Sequence, residues 1–273
     1  MAGAREKKVA RMSTPNYESK LYGLRYLFSY LEQARAANFR DERVFDEMEF
    51  LLELANFKGP RTSQLGQDVF ALAMNGYKRD GYFVEVGAHH GEQLSNTWML
   101  ENGYGWDGLL IEPNPAHQHN LSMRSARLVG YAAWKRSGEK LNFHATADSA
   151  LSSLAHVKPS DAHDRTNFKA LVVETMTLDD ILTSRKAPKV IDFMSIDVEG
   201  AELDVLDGLS FDKWQINAIC LEHNHDKPRL EAIDRRLAAA GLQRVFEIVS
   251  DFDAYYAQPA AYEAWRNSVA KRG

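Results

Sequence analysis

Residues 83–96 read FVEVGAHHGEQLSN. Four strand-favouring residues run into Gly87, three more residues, Gly91 and then a polar stretch. This pattern predicts a ligand loop at the carboxyl end of a strand. Gly87 lets a ligand approach the backbone closely, and Gly91 permits a tight turn into a following helix. The spacing departs from Gly-x-Gly-x-x-Gly because position 89 is histidine, and a pyrophosphate wants that glycine-rich turn directly against it. Glu85 adds a carboxylate at the same strand tip. It repels phosphate and favours a cation or an amine.

The segments around this loop alternate strand and helix. GYFVEVGA, GWDGLLIEPNP, ARLVGYAAW, KLNFHAT, KVIDFMSIDVEG and INAICLEHN read as strands, and QRVFEIVSDFDAYYAQ as one or two more. SNTWMLENG, LDDILTS with Thr177 as its cap, AELDVLDGL, RLEAIDRRLAAAG and the tail AAYEAWRNSVAKR read as helices. Strands that are apolar throughout and alternate with helices predict an α/β fold with a mostly parallel sheet covered on both faces. Ligands in such sheets sit beyond the carboxyl ends of the strands. Before this region, residues 17–60 predict a helical extension, either a lid or an oligomer contact. Leu21, Leu24, Leu27, Tyr30 and Leu31 form one apolar helix face, and Val44, Phe45, Met48, Leu51 and Leu52 a second, with Asp41 as its N-cap. Residues 1–16 read as a disordered basic tail, and residues 61–273 as the ligand-binding domain.

Bulk properties narrow the function classes. Among 273 residues, 45% are hydrophobic and 26% charged, values of an ordinary globular chain with a sizeable core. The net charge of −5 gives no electrostatic case for nucleic acid. No stretch approaches the roughly 18 apolar residues of a membrane span, and the basic start lacks the apolar core of a secretory signal. The single cysteine, Cys220, precludes an internal disulfide and suits a reducing compartment, so a cytoplasmic location is expected.

A second acid completes the ligand reading. Glu112 ends the strand in LLIEPNP, about 25 residues past Gly87, where a carboxylate commonly binds ribose hydroxyls. The prolines on either side of Asn114 stiffen its turn. Glu85 and Glu112 together specify a ligand with a ribose and a cationic group but no phosphate cradle. S-adenosylmethionine, with its ammonium and sulfonium, meets that description.

SQLGQDVFAL, FVEVGAHHGEQLSNTWMLE, GWDGLLIEPNP, TLDDIL and IDFMSIDVEGAELDVLDGL occur in this order. From residue 63 to 224 the chain resembles the FkbM family of S-adenosylmethionine-dependent methyltransferases, most specifically in SIDVEGAELDVLDGL. The resemblance implies a Rossmann-like class I methyltransferase fold, with a mostly parallel seven-stranded sheet and helices on both faces. It also implies O-methylation of a hydroxyl on a sugar, glycan or natural product. His89 and His90 stand where family members often carry smaller or more polar side chains. By the same resemblance Glu85 and Gly87 line the methionine side and Glu112 the ribose, with Asp148 and Ser149 near the adenine; Gly91 is expected to bind the cofactor as well. Asn96 contacts the amino-acid end or caps its helix. Ser63, Gln64 and Gln67 close over the site.

Methyl transfer from a sulfonium asks the enzyme for alignment, and a sugar hydroxyl must also lose a proton. Asp197 and Glu199 in SIDVEG and Glu222, His223, His225 and Asp226 in CLEHNHD follow two strands that should converge. Asp197 is the first choice for a catalytic group that also meets the cofactor. Glu199 shares the catalytic work or caps a helix. His223 is a candidate base, since an unperturbed imidazole titrates near neutrality, and Glu222 and His225 are expected to face the acceptor. Asp197, Glu222 and His223 could also hold Mg²⁺ or Mn²⁺. His117 and His119 are expected on an exposed helix surface. Three other readings remain open: an NAD(P)-dependent or nucleotide-sugar oxidoreductase, a metal hydrolase built on EHNHD, and a non-catalytic scaffold that works through its N-terminal helices.

Overall fold

The structure, a computed structural model, describes residues 42–146, 151–155 and 165–271. The expected tail at 1–16, the helix carrying Leu21 to Leu31, Asp41, and the adenine-side residues Asp148 and Ser149 lie outside these residues. The chain divides into two compact units, Met1–Asp46 and Glu47–Gly273. All that follows on the sheet and the site concerns the second.

Eleven strands and eight α-helices occur among the described residues. The strands are β1 (Tyr82–Val86), β2 (Asp107–Ile111), β3 (Arg127–Val129), β4 (Ala132–Ala133), β5 (Lys140–Thr146), β6 (Ser153–Leu154), β7 (Phe168–Met176), β8 (Val190–Ile196), β9 (Gln215–Glu222), β10 (Gln243–Val245) and β11 (Asp253–Ala257). The main sheet has the order β10-β11-β9-β8-β1-β2-β3. Its pairings from β9 through β3 are parallel, whereas β11 runs antiparallel to both β9 and β10. The fold is therefore α/β with a mixed sheet. The order switches between β1 and β8, whose chains proceed outward in opposite directions.

Strand parity builds a core on each face. Val84, Val86, Ile111, Met194, Ile196 and Leu221 point to one face, where helices Leu178–Ser184, Glu202–Asp207 and Lys227–Ala239 contribute Ile181, Leu206 and Leu237. Phe83, Leu110, Phe193, Cys220 and Tyr255 point to the other. There helix Gln67–Met74 is buried along its whole length. Phe70 stacks on Tyr255 with ring centroids 4.6 Å apart. Cys220 is buried, as its apolar run suggests.

Three expectations shift. The strand expected over ARLVGYAAW breaks at Gly130–Tyr131, and its halves join different sheets. The second sheet, β4-β7-β5-β6, includes the nine-residue β7, which the sequence reading passed over. The apolar run of β7, residues 170–173, is short and flanked by polar residues, and most of the strand is exposed. In helix Glu42–Asn56 the buried side is rotated from the one expected. Phe50 is fully buried and stacks on Phe246 at 4.2 Å, while Phe45 and Leu52 are exposed.

Gly87 sets how closely β1 and β8 can end. Its φ is +82°, and a Cβ there would collide with the Asp197 carbonyl oxygen. Gly87 N donates to Ile111 O at 2.9 Å, and Asp197 N donates to Val86 O at 3.0 Å. Gly138 has a similar φ of +80° with open space around it. Gly87→Ala is therefore expected to cost about 3 kcal/mol or more, and Gly138→Ala only the left-handed backbone term of about 1–2 kcal/mol. Urea unfolding of both variants measures this, and equal losses would remove the close-approach argument.

Candidate functional site

The register lines up the strand tips. Val86 pairs with Ile111 and with Ile196, and Ile196 pairs with Leu221. Gly87, Glu112, Asp197 and Glu222 each stand one residue past that row, at one carboxyl edge. Two hollows open there and share Gly87, His89, Asp197 and Glu199 in their walls. The first, of about 590 Å³ with its mouth, runs along Glu112 and is mainly apolar, with Ile111, Ala133, Phe143, Leu154 and Val198. The second, of about 940 Å³ with its mouth, holds Gln64, Glu85, Asn96, Asp197, Glu199 and Glu222. No lysine or arginine lines either hollow among the described residues.

Glu112 is fixed by backbone donors. Asn114 N donates to Oε1 at 2.8 Å and His89 N to Oε2 at 2.9 Å. Burial pushes its pKa up to about 7, against the lowering effect of these two bonds. The glycine loop and the turn after β2 are thus tied through one carboxylate.

Glu85 differs from expectation in its bonding. Its oxygens accept from Ser95 Oγ at 3.1 and 3.0 Å, Asn96 N at 2.7 Å and Thr97 Oγ1 at 2.6 Å. Burial raises its pKa, and the Arg124 guanidinium opposes that rise. Arg124 itself bonds Glu101 Oε2 at 2.6 Å and Thr97 Oγ1 at 3.2 Å. Glu85 borders the second hollow but is spent mainly on holding the 95–97 segment in place. Asn96 Nδ2 donates to Ser195 Oγ at 2.9 Å, so Asn96 is tied to β8. Thr97 occupies the N-cap position of helix Trp98–Tyr104 without a side-chain capping bond, and Ser95 Oγ accepts from Trp98 N at 3.0 Å. Gly91, with φ +84°, packs against Leu121 and lines neither hollow.

Asp197 lies in the wall common to both hollows. Burial and the charges of Glu199, Asp253 and Glu202 hold its carboxyl well above the usual range. Asp197, Glu199 and Glu222 each place a carboxylate oxygen such that all three lie within 4.8 Å of one another. Burial, then Asp197 and Glu199, raise Glu222 as well. Arg165 pairs with Glu199 at 2.6 Å. Glu199 has φ +56°, and His89, Leu94 and Asn224 around the second hollow also have positive φ. Such costly backbone concentrates where a surrounding structure holds it for a purpose.

The histidines depart furthest from the sequence reading. His223 is buried, its Nε2 bonds Asp253 O at 2.9 Å, and its Nδ1 accepts from His225 N at 3.1 Å. Both nitrogens are engaged in the neutral tautomer, and burial lowers its pKa. His223 is therefore corrected from base and metal ligand to a structural post between β9 and β11. Glu199 takes its place beside Asp197 and Glu222. His225 is exposed near Asp251 and lines neither hollow, so it is corrected as an acceptor contact. His117 is buried with its ring 4.5 Å from His89, and burial and the neighbouring His89 and His90 lower its pKa to about 4. His119 is exposed as expected. Of the three N-terminal residues, only Gln64 lines a hollow. Ser63 bonds Asp68 at 2.6 Å, and Gln67 bonds Asp253 at 2.8 Å. Phe143 and Leu154 went unseen because they belong to the second sheet.

An apolar slot, a fixed carboxylate and an acidic hollow lie together beyond the switch in strand order, where small molecules bind in open α/β sheets. Residues 85–246, more than half of the chain, match the Methyltransferase FkbM domain, and the chain belongs to that family. No curated protein matches it. Two solved structures are similar at 14% identity. One is a precorrin-6y C5,15-methyltransferase from Geobacter metallireducens, with 65% of this chain and 70% of that chain covered and a TM-score of 0.37. The other is a methyltransferase from Pyrococcus furiosus, at 78% and 97% coverage and a TM-score of 0.35. At these scores neither bears on the site. No helix among the described residues is long and apolar enough to cross a membrane.

The two acids should separate by stability. Glu85→Ala orphans buried donors and is expected to cost about 2–4 kcal/mol. Asp197→Asn relieves like-charge repulsion and should leave the urea midpoint unchanged or higher. Hydrogen exchange at the Asn96 amide should speed up only in the Glu85 variant. Equal exchange in both would remove the anchoring role given to Glu85.

Proposed function

We propose that the chain is an S-adenosylmethionine-dependent O-methyltransferase acting on a hydroxyl of a sugar, glycan or natural-product small molecule, with a Rossmann-like class I fold. The observation that carries this reading is Glu112, held by two backbone N–H groups in the wall of an apolar slot that shares Gly87, His89, Asp197 and Glu199 with a carboxylate-lined hollow. The donor chemistry fits the residues present. The slot of Ala133, Phe143 and Leu154 suits an adenine ring. Glu112 suits two ribose hydroxyls, and an acidic wall without lysine or arginine suits an ammonium and a sulfonium. The same wall disfavours the pyrophosphate of a nicotinamide cofactor or nucleotide sugar.

When bound, S-adenosylmethionine supplies an electrophilic methyl whose sulfur leaves as a neutral thioether. The chain's own work is placement and proton transfer. Glu112 fixes the ribose, Gly87 keeps the β1 and β8 tips close, and the segment held by Glu85 shapes the methionine side through Asn96. Asp197, between the two hollows, takes the proton from the acceptor hydroxyl as the carbon–oxygen bond forms. Its raised pKa suits a general base. Glu199 and Glu222 border the acceptor.

Titration of S-adenosylhomocysteine by calorimetry tests the reading. Glu112→Ala is expected to weaken binding by about 1–3 kcal/mol, while Asp197→Asn lowers turnover more than affinity. Unchanged affinity in the Glu112 variant would overturn the ribose assignment. A rise in melting temperature with NAD(P)H but none with S-adenosylhomocysteine would favour an oxidoreductase. The pH dependence has a definite sign. Glu112 is protonated in the free protein below about 7, and two hydroxyl donors need an ionised acceptor. Affinity should thus be full above about 7 and fall up to tenfold per pH unit below it, with a flatter profile in Glu112→Gln. In the free fold, the same raised pKa stabilises at low pH, and that contribution is lost as pH rises through about 7.

A further inference from the structure

We propose that Asp197, Glu199 and Glu222 form a divalent-cation site, of the Mg²⁺ or Mn²⁺ class, at the acceptor end of the second hollow. Its role in methyl transfer rests on the function proposed above; its existence does not.

Two separate observations point to an ion. The first is convergence: one oxygen from each of the three carboxylates falls within 4.8 Å of the others, a spacing at which an ion can touch all three at about 2.0–2.6 Å. The second is an unfinished contact. Glu222 is only 8% exposed, it lines the second hollow, and its Oε2 has no hydrogen-bond partner. A buried carboxylate oxygen without a donor is costly, and a cation removes the cost. Glu85 and Glu112, acids of comparable burial in the same region, are by contrast bonded at both oxygens. No basic side chain pairs with Asp197 or Glu222 among the described residues. Arg165 serves Glu199, at 2.6 Å from its Oε2.

Oxygen-only ligands select hard ions over zinc or copper. His223, the nearest imidazole in sequence, is turned away by its bonds to Asp253 O and His225 N. An ion here would stand beside Asp197, which faces both hollows, and would hold a hydroxyl oxygen of a polyol acceptor and lower its pKa. The hydroxyl proton would pass to an Asp197 oxygen outside the ion's reach.

The test is Mn²⁺ titration of the full-length protein, followed by loss of the free-ion paramagnetic resonance signal, with and without S-adenosylhomocysteine. One equivalent should bind and be displaced by excess Mg²⁺. Glu222→Gln should weaken binding at least tenfold, Glu199→Gln should weaken it measurably, and Glu92→Gln, at an exposed position, should match the parent. Glu222→Gln is isosteric with protonated Glu222, and circular dichroism checks the fold of the variant. Should it fail to fold, Glu199→Gln decides. The proposal is overturned by the absence of saturable binding up to millimolar Mn²⁺, or by binding in both Glu222→Gln and Glu199→Gln that equals the parent's. Stabilisation by a simple amine such as ethanolamine without any response to Mn²⁺ would also overturn it and assign the acids to an acceptor ammonium. Binding of S-adenosylhomocysteine without Mn²⁺ sinks this site alone. Mn²⁺ binding without S-adenosylhomocysteine sinks the methyl-donor reading and leaves the ion site standing.

Discussion

The close approach of the β1 and β8 tips governs the site. At Gly87 the chain turns with positive φ, and the carbonyl of Asp197 fills the space a side chain would need. This contact allows the glycine loop and the SIDVEG turn to share walls in both hollows. Parallel pairing then extends the alignment sideways, bringing Glu112 from β2 and Glu222 from β9 to the same edge. Helices on both faces hold the strands in register. A slip of one residue would turn Glu85 toward the face now occupied by Val84 and Val86.

Placing several carboxylates in one water-poor region carries an electrostatic cost, and the structure meets it at some of the acids and not at others. Glu85 and Glu112 are surrounded by donors, with Arg124 standing behind the former. Asp253, whose pKa burial raises to about 7, accepts from Gln67. Asp197 and Glu222 have no such compensation, and their pKa values rise through burial and mutual repulsion. Uncompensated charge of this kind concentrates at functional sites. Asp192 provides the contrast. It is buried at the opposite end of β8 and fully used, bonded by Lys78 at 2.6 Å and Tyr82 N at 2.8 Å, so it reads as structural.

The second sheet gives the site its apolar wall. Phe143, Leu154 and Val173 pack with Ala201, just after SIDVEG, and Phe143 and Leu154 continue into the first hollow. This small sheet shares the wall of the slot with the glycine loop, through Phe143 and Leu154 on one part and Gly87 and His89 on another. The histidines contribute less than their number suggests. His223 braces β9 against β11, and His225 faces solvent.

The strands of the main sheet and the helices that cover it could be read from the sequence, because hydrophobic period and glycine placement are local properties. So could the place of Glu112 just past the tip of an apolar strand. The family followed from SIDVEGAELDVLDGL and its neighbours. Which acids remain without partners was decided by tertiary structure. Glu85 and Glu222 look alike as strand-terminal glutamates, yet one meets Ser95, Asn96 and Thr97 while the other leaves Oε2 unpaired. The role of His223 was equally invisible, because the carbonyl that engages it lies 30 residues along the chain. Hydrogen-bond satisfaction depends on which distant backbone groups come within about 3 Å, and no local pattern of residues encodes that.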